Sequence, residues 1–197
     1  VGGGKPKMKY YFNEVKQKWP SINHPTPKLP PRSDKTKEEL LELLQSKKME
    51  FYDEIVSENA SPRPGVIALF DQILDNPSIK VGICSASTKQ GFEKIIDIAL
   101  GKERISKLNL VLAGDDVPQR KPHPMIYQLA SERLNVPPNR CLVIEDSLIG
   151  LKAAKAAGMK CVITYTDGTS KEDFIGSGAD AVFADLSEVS LEQLLRY

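Results

Sequence analysis

Glu145 and Asp146 are adjacent carboxylates placed where an apolar run, Leu142-Val143-Ile144, stops. Two like charges that close repel, and a divalent cation with oxygen ligands relieves the repulsion, so the pair reads as a Mg²⁺ site. The blander reading is a solvated loop in which Asp146 helps to cap the next helix. Two further polar residues stand at comparable places: Ser85 follows the apolar run VGIC, and Lys121 lies in RKPHP just ahead of a helical pattern. A lone turn serine or a lone solvated lysine would mean little. A hydroxyl, an ammonium and two carboxylates at successive strand exits suit a phosphate and its metal.

The elements that must position them follow from periodicity. From Pro62-Arg63-Pro64-Gly65 onward the chain alternates helix and strand. Val66, Leu69, Phe70, Ile73 and Leu74 make an amphipathic helix, VGICSAS a strand, Phe92, Ile95, Ile96 and Leu100 a helix, and LNLVLAGDD a strand. Pro124 suits the first turn of a helix carrying Ile126, Leu129, Ala130 and Leu134. CLVIEDS is the next strand; Ser147 caps the alanine-rich helix after it and Gly158 stops that helix. KCVITYT, a strand near Ala181 to Ala184 and a closing helix through Val189, Leu191, Leu194 and Leu195 complete the pattern. Such alternation specifies an α/β fold, a parallel sheet with helices on both faces, whose strand exits face a ligand crevice.

The first part of the chain has a different grammar. A helix-like piece spans Met8 to Val15, a proline-bearing loop spans 19–33, and Thr36-x-x-Glu39 reads as a capping box opening a helix with Leu40, Leu41, Leu44, Phe51, Tyr52 and Ile55 at helical spacing. Lys48 projects from that apolar stripe; its ammonium either snorkels past its stem or holds an anionic substrate. Lys5 follows a glycine run and is either presented by a flexible turn or solvated in a linker; Pro6 breaks any Walker-type phosphate loop. The division is thus a small helical subdomain over 1–61 and an α/β part over 62–197.

Composition narrows the function classes. The 197 residues carry 27 Lys+Arg against 26 Asp+Glu, a net charge of +1, so no overall basic field points to nucleic acid or membrane. Cys84, Cys141 and Cys161 lie in apolar runs without metal-ligand spacing and read as buried free thiols in a reducing, intracellular setting. No apolar stretch is long enough to span a bilayer and no signal-peptide pattern is present, so a soluble chain is expected. The chain begins at Val1 on a glycine run, which suggests an upstream segment.

In order, RPGV, CSAS, AGDDV, KPHPMIY, CLVIEDSLIGLKAAKAAGM and CVITYT resemble blocks of the haloacid dehalogenase superfamily of Mg²⁺-dependent phosphohydrolases, in its CbbY-like and beta-phosphoglucomutase-like branch, nearest to plastid CbbY-like proteins of plants. GGGKPKM and LLQSKKMEFY resemble part of that branch's helical cap. The resemblance implies that Ser85 and the Ala86 amide bind the transferring phosphoryl group, that Lys121 neutralises it and the nucleophile, that Glu145 and Asp146 hold Mg²⁺, and that Lys5 and Lys48 grip the rest of a small phosphorylated sugar. It also implies a chloroplast location; a monomer is the default expectation. His123 stands where the family usually has Asp, a change that affects a helix cap more than chemistry.

The family's first motif, an apolar strand ending Asp-x-Asp with the nucleophile, is not found: no two aspartates are two apart. Asp115 and Asp116 end a strand at the family's third-strand position and read as loop acids beside the site. The expectation is therefore a Rossmann-like core lacking its central first strand, joined to a partial cap. The complete protein is expected to be a phosphatase working through an aspartyl-phosphate, and the chain by itself to be inactive. A phosphomutase, or a non-catalytic binding protein of the same fold, are the alternatives. A dinucleotide-binding fold is disfavoured because Gly-x-Gly-x-x-Gly is absent.

Overall fold

The structure, a computed structural model, describes residues 4–20 and 34–197. It divides into two compact units, Val1–Asn59 and Ala60–Tyr197.

In the first unit, helix α1 (Gly4–Tyr10) runs on into a π-helical turn over Tyr11–Val15, and helix α2 spans Asp34–Asn59. The core is small: Trp19, Leu40 and Leu41 are buried, with Met8, Phe12 and Leu44 against them. The Trp19 indole donates to Asn13 Oδ1 at 3.0 Å, so its polar edge is satisfied while its rings pack on Phe12. Helix α2 starts at Asp34, so Thr36 and Glu39 lie inside it and do not form the expected capping box. The apolar stripe is also shorter than expected, because Phe51 is 60% exposed. The proline-bearing segment 21–33 and the side chains of Tyr52 and Ile55 lie outside the described residues.

The second unit begins with α3 (Val66–Leu74), β1 (Gly82–Cys84), α4 (Lys89–Ser106) and β2 (Leu110–Leu112). It continues through α5 (Met125–Leu134), β3 (Leu142–Glu145), α6 (Leu148–Ala156), β4 (Lys160–Thr164), β5 (Ala181–Phe183) and α7 (Leu191–Leu194). All strand pairs are parallel, with Ile83 opposite Val111, Ile144 opposite Val162 and Ile163 opposite Val182. Along β4, Cys161 and Ile163 enter one core with α5 and α6, while Val162 enters a second core with Leu69, Leu186, Val189 and Leu194. A strand covered on both faces needs an unbroken apolar run, which is why KCVIT does not alternate.

Helix α6 shows how sequence sets its place. Ser147 caps it by accepting the Gly150 amide at 3.1 Å, and Gly158, at φ 79°, ends it in the left-handed region. Leu151, Ala153 and Ala154 are fully buried, and the small volumes of the two alanines let the helix lie close to the sheet. Helix α4 is interrupted at Gly101, whose φ 76° and ψ 155° leave the helical region.

The strands pair as a two-stranded β1-β2 sheet and a three-stranded β3-β4-β5 sheet. One core nevertheless spans both: Leu112 of β2, Val143 of β3 and Cys161 of β4 share it with Ile126 and Tyr127 of α5 and Leu151 of α6. The two sheets are halves under a single helical layer, and among the described residues pairing stops between β1 and β3. This is where the first strand implied by the resemblance would pair. Ile144 in mid-β3 and Val111 in mid-β2, 39% and 37% exposed, depart from the burial a parallel sheet covered on both faces demands.

Candidate functional site

Lys121 organises the exits of β1 and β3. Its Nζ donates to the Cys84 carbonyl at the end of β1 (2.9 Å), to the Tyr127 hydroxyl (2.8 Å) and to Glu145 Oε1 at the end of β3 (2.5 Å). The side chains of Lys121 and Glu145 are only 7% and 9% exposed. A buried ion pair is tolerated when its remaining donors and acceptors are also satisfied, and this one is. The Tyr127 hydroxyl donates to the same Oε1, and burial first, then the Glu145 charge and hydrogen bond, push the phenol far above its ordinary range, keeping it a donor. Glu145 Oε2 accepts two long contacts of 3.3 Å, from the Asp146 amide and the Ser147 hydroxyl.

Glycine makes room for this carboxylate. A Cβ on Gly150 would lie 1.9 Å from Glu145 Cδ, so the first turn of α6 receives the Glu145 side chain only because residue 150 has none. The serine loop is shaped in the same way. Ser85 extends the β1–β2 pairing through its amide to the Leu112 carbonyl (2.8 Å), and its hydroxyl accepts the Ser87 amide (3.1 Å). Gly114, after β2, donates to the Ser87 carbonyl at 2.7 Å, and a Cβ there would lie 2.4 Å from the Ala86 carbonyl oxygen.

Four of the residues singled out from sequence thus converge in chain and space: Lys121 touches Glu145 directly, Ser85 adjoins Cys84, and Asp146 adjoins Glu145. Ala86 is exposed beside Ser85. In the other unit, Lys5 sits on α1, not in a glycine turn, and pairs with Glu42 of α2. Lys48 is exposed on α2. Asp115 and Asp116 tie loops: Asp115 Oδ1 accepts the Lys89 amide at 2.9 Å and Asp116 Oδ2 accepts the Ala113 amide at 2.7 Å. His123 Nδ1 accepts the Met125 amide at 3.3 Å at the start of α5, a cap contact. The three cysteines are free thiols, but Cys84 and Cys141 are only half-buried. Burial foremost, with Lys121 opposing, raises Cys84 to about 11, so it stays neutral next to the cation.

Sequence reasoning missed Tyr127, Gly150 and Gly114. Tyr127 carried a usable signal: it is six residues after Lys121, a polar-tipped ring within the buried set of α5.

Two carboxylates on consecutive residues supply hard oxygen donors. Oε2 of Glu145 and the exposed Asp146 are the oxygens with least competition, and this suits a Mg²⁺ that keeps several waters. Among the described residues there is no group of three or more His, Cys, Asp or Glu able to hold an ion, so further ligands would come from water, the substrate or a carboxylate elsewhere.

Polar groups gathered at the carboxyl ends of parallel strands mark the ligand-handling class of α/β proteins. A profile described as haloacid dehalogenase-like hydrolase matches residues 14–158, and the chain belongs to that family. It is 47% identical over 98% of its length to a haloacid dehalogenase-like hydrolase domain-containing protein of Arabidopsis thaliana, covering 60% of that protein. It is 43% identical over 93% of its length to a CBBY-like protein of the same plant, covering 54%. The chain therefore spans little more than half the length of these relatives. Among solved structures it is similar to CbbY of Rhodobacter sphaeroides in complex with xylulose-(1,5)bisphosphate, with a TM-score of 0.73, 28% identity, and coverage of 98% of this chain and 77% of that one.

Proposed function

We propose that the protein is a Mg²⁺-dependent phosphatase of a small sugar phosphate or bisphosphate, and that the residues described form its phosphate and metal side. The observation that carries this reading is the Lys121–Glu145 pair at 2.5 Å, nine-tenths buried, at the mouths of β1 and β3. A solvated loop would not desolvate both charges. In this reading the Ser85 hydroxyl and the Ala86 amide receive the phosphoryl oxygens, and Lys121 neutralises the charge that builds there. Glu145 and Asp146 would hold Mg²⁺, which supplies charge neutralisation and in-line positioning when bound. Helices α5 and α6 keep the ammonium and carboxylates in place, so little reorganisation is needed at reaction.

The nucleophile is proposed to be an aspartate on a strand that completes the sheet between β1 and β3. Its carboxylate oxygen bonds to phosphorus as the ester oxygen leaves with a proton from a neighbouring acid, and water then cleaves the acyl phosphate. Residues 1–61 are proposed as part of a cap, with Lys5 and Lys48 toward the sugar end of the substrate. A plastid location is a further expectation, from the resemblance to plastid CbbY-like proteins of plants.

The test is kinetic. A form carrying an upstream strand ending Asp-x-Asp should hydrolyse sugar phosphates with Mg²⁺, and the chain without it should not. In the active form Asp146→Ala should abolish turnover while Lys48→Ala mainly raises KM; equal effects would undo the division between cap and core. Steady interconversion of hexose 1- and 6-phosphates without phosphate release would instead establish a mutase.

A further inference from the structure

We infer that Tyr127 is a positioning residue of the cradle: its hydroxyl keeps Glu145 partnered so that Lys121 is able to turn to an anion. The inference rests on the phosphate-handling reading above and deepens it. An ammonium has three N–H donors. Here all three are taken, by the Cys84 carbonyl (2.9 Å), the Tyr127 hydroxyl (2.8 Å) and Glu145 Oε1 (2.5 Å). Lys121 therefore reaches a phosphoryl oxygen only by giving up one of them.

Releasing Glu145 would ordinarily be expensive, because a carboxylate 9% exposed would lose its cation and its strongest donor together. Tyr127 removes that difficulty. Its hydroxyl already donates to the same Oε1 while accepting from Lys121, so Glu145 keeps a charge-assisted hydrogen bond when Lys121 turns away. The Lys121 ammonium lies 4.6 Å from the Tyr127 ring centroid, on the hydroxyl side of the ring, so the hydroxyl is the part of Tyr127 that holds it. Tyr127 is itself 5% exposed and packed in the α5/α6 core, which fixes the hydroxyl in place. Tyr127→Phe keeps ring and packing and deletes only the atom that matters.

The experiment compares wild type, Tyr127→Phe and Lys121→Met, each in the form carrying the upstream Asp-x-Asp strand, by calorimetric binding of inorganic phosphate with Mg²⁺ present, and by ¹⁵N-lysine NMR of the ammonium groups. The Lys121 signal is identified by its loss in Lys121→Met. The expected result is a slowly exchanging Lys121 ammonium in wild type that shifts or broadens in Tyr127→Phe, with phosphate affinity about tenfold weaker. A Lys121 signal unobservable in wild type, or unchanged in Tyr127→Phe, overturns the inference whether or not phosphate binds. Phosphate affinity that is unchanged or tighter in Tyr127→Phe overturns it as well. If the signal changes but wild type itself binds no phosphate, Tyr127 stands as the residue that positions Lys121, and the phosphatase reading falls. Should Tyr127→Phe fail to fold, the wild-type Tyr127 hydroxyl proton decides: a protected, downfield resonance near the Lys121 ammonium supports the inference, and its absence ends it.

Discussion

At the scale of single residues, one hydrogen in place of a methyl group decides whether Glu145 keeps its seat. Gly150 lies in the first turn of α6 with Glu145 Cδ where its Cβ would be. Gly150→Ala gains helix propensity but must displace either α6 or the carboxylate, and overpacking of this kind costs about 1–3 kcal/mol. The expected outcome is a melting temperature lowered by roughly 2–10 °C and a Mg²⁺ affinity weakened in calorimetry. A variant as stable as wild type with intact Mg²⁺ binding would show that the contact is easily relieved.

At the scale of elements, the entry to the second unit is held by one guanidinium. Arg63 donates to the Thr164 carbonyl (3.2 Å) and hydroxyl (3.0 Å), to the Tyr165 carbonyl, and to the Ala184 carbonyl (3.0 Å), so a single side chain closes the exits of β4 and β5. Gly65, at φ 79°, then passes so close to the Leu186 backbone that a Cβ would lie 2.0 Å from its carbonyl carbon. Arg63→Ala strands several acceptors and should cost about 2–4 kcal/mol in urea unfolding, with Arg63→Lys recovering only part because an ammonium lacks the planar fork. At the other end of these strands, Asp180 accepts from the Cys161 amide at 2.7 Å and pairs with Lys155 and Lys160. Burial alone would raise its pKa, but Lys155, the Cys161 amide and Lys160 together hold it at about 2 against an ordinary 3.8. A depressed carboxylate stabilises the fold above its ordinary pKa and loses that contribution as pH falls toward the folded value. The stability gap between wild type and Asp180→Asn, measured by thermal melts, should therefore be full at pH 5 and shrink between about pH 4 and 2. These two anchors also mark the limit of sequence. The order of strands and helices was readable because β4 is apolar without a break and Ser147 and Gly158 bracket α6. Lys121 beside Glu145 was readable because both end or precede elements with clear signals. Arg63 was not, since three of its four acceptors are main-chain carbonyls a hundred or more residues away, and such acceptors leave no mark on residue type. The cap at Thr36 misled because the helix begins two residues earlier, at Asp34.

At the scale of the molecule, one helical layer, α5 with α6, roofs two half-sheets whose strands do not pair with each other among the described residues. Among the described strands, β4 is the one hydrogen-bonded on both sides, to β3 and to β5. Its amides should therefore be the slowest to exchange with deuterium, and those of β1 and β3 should be markedly faster despite lying beneath the same roof. Equal protection of β1, β3 and β4 would mean that the two halves are bridged by something other than the shared core. Protection in this protein would then peak off-centre, and a partner strand supplied as a separate peptide would be detected first as a slowing of β1 and β3 alone, a footprint that reads out complementation without any substrate.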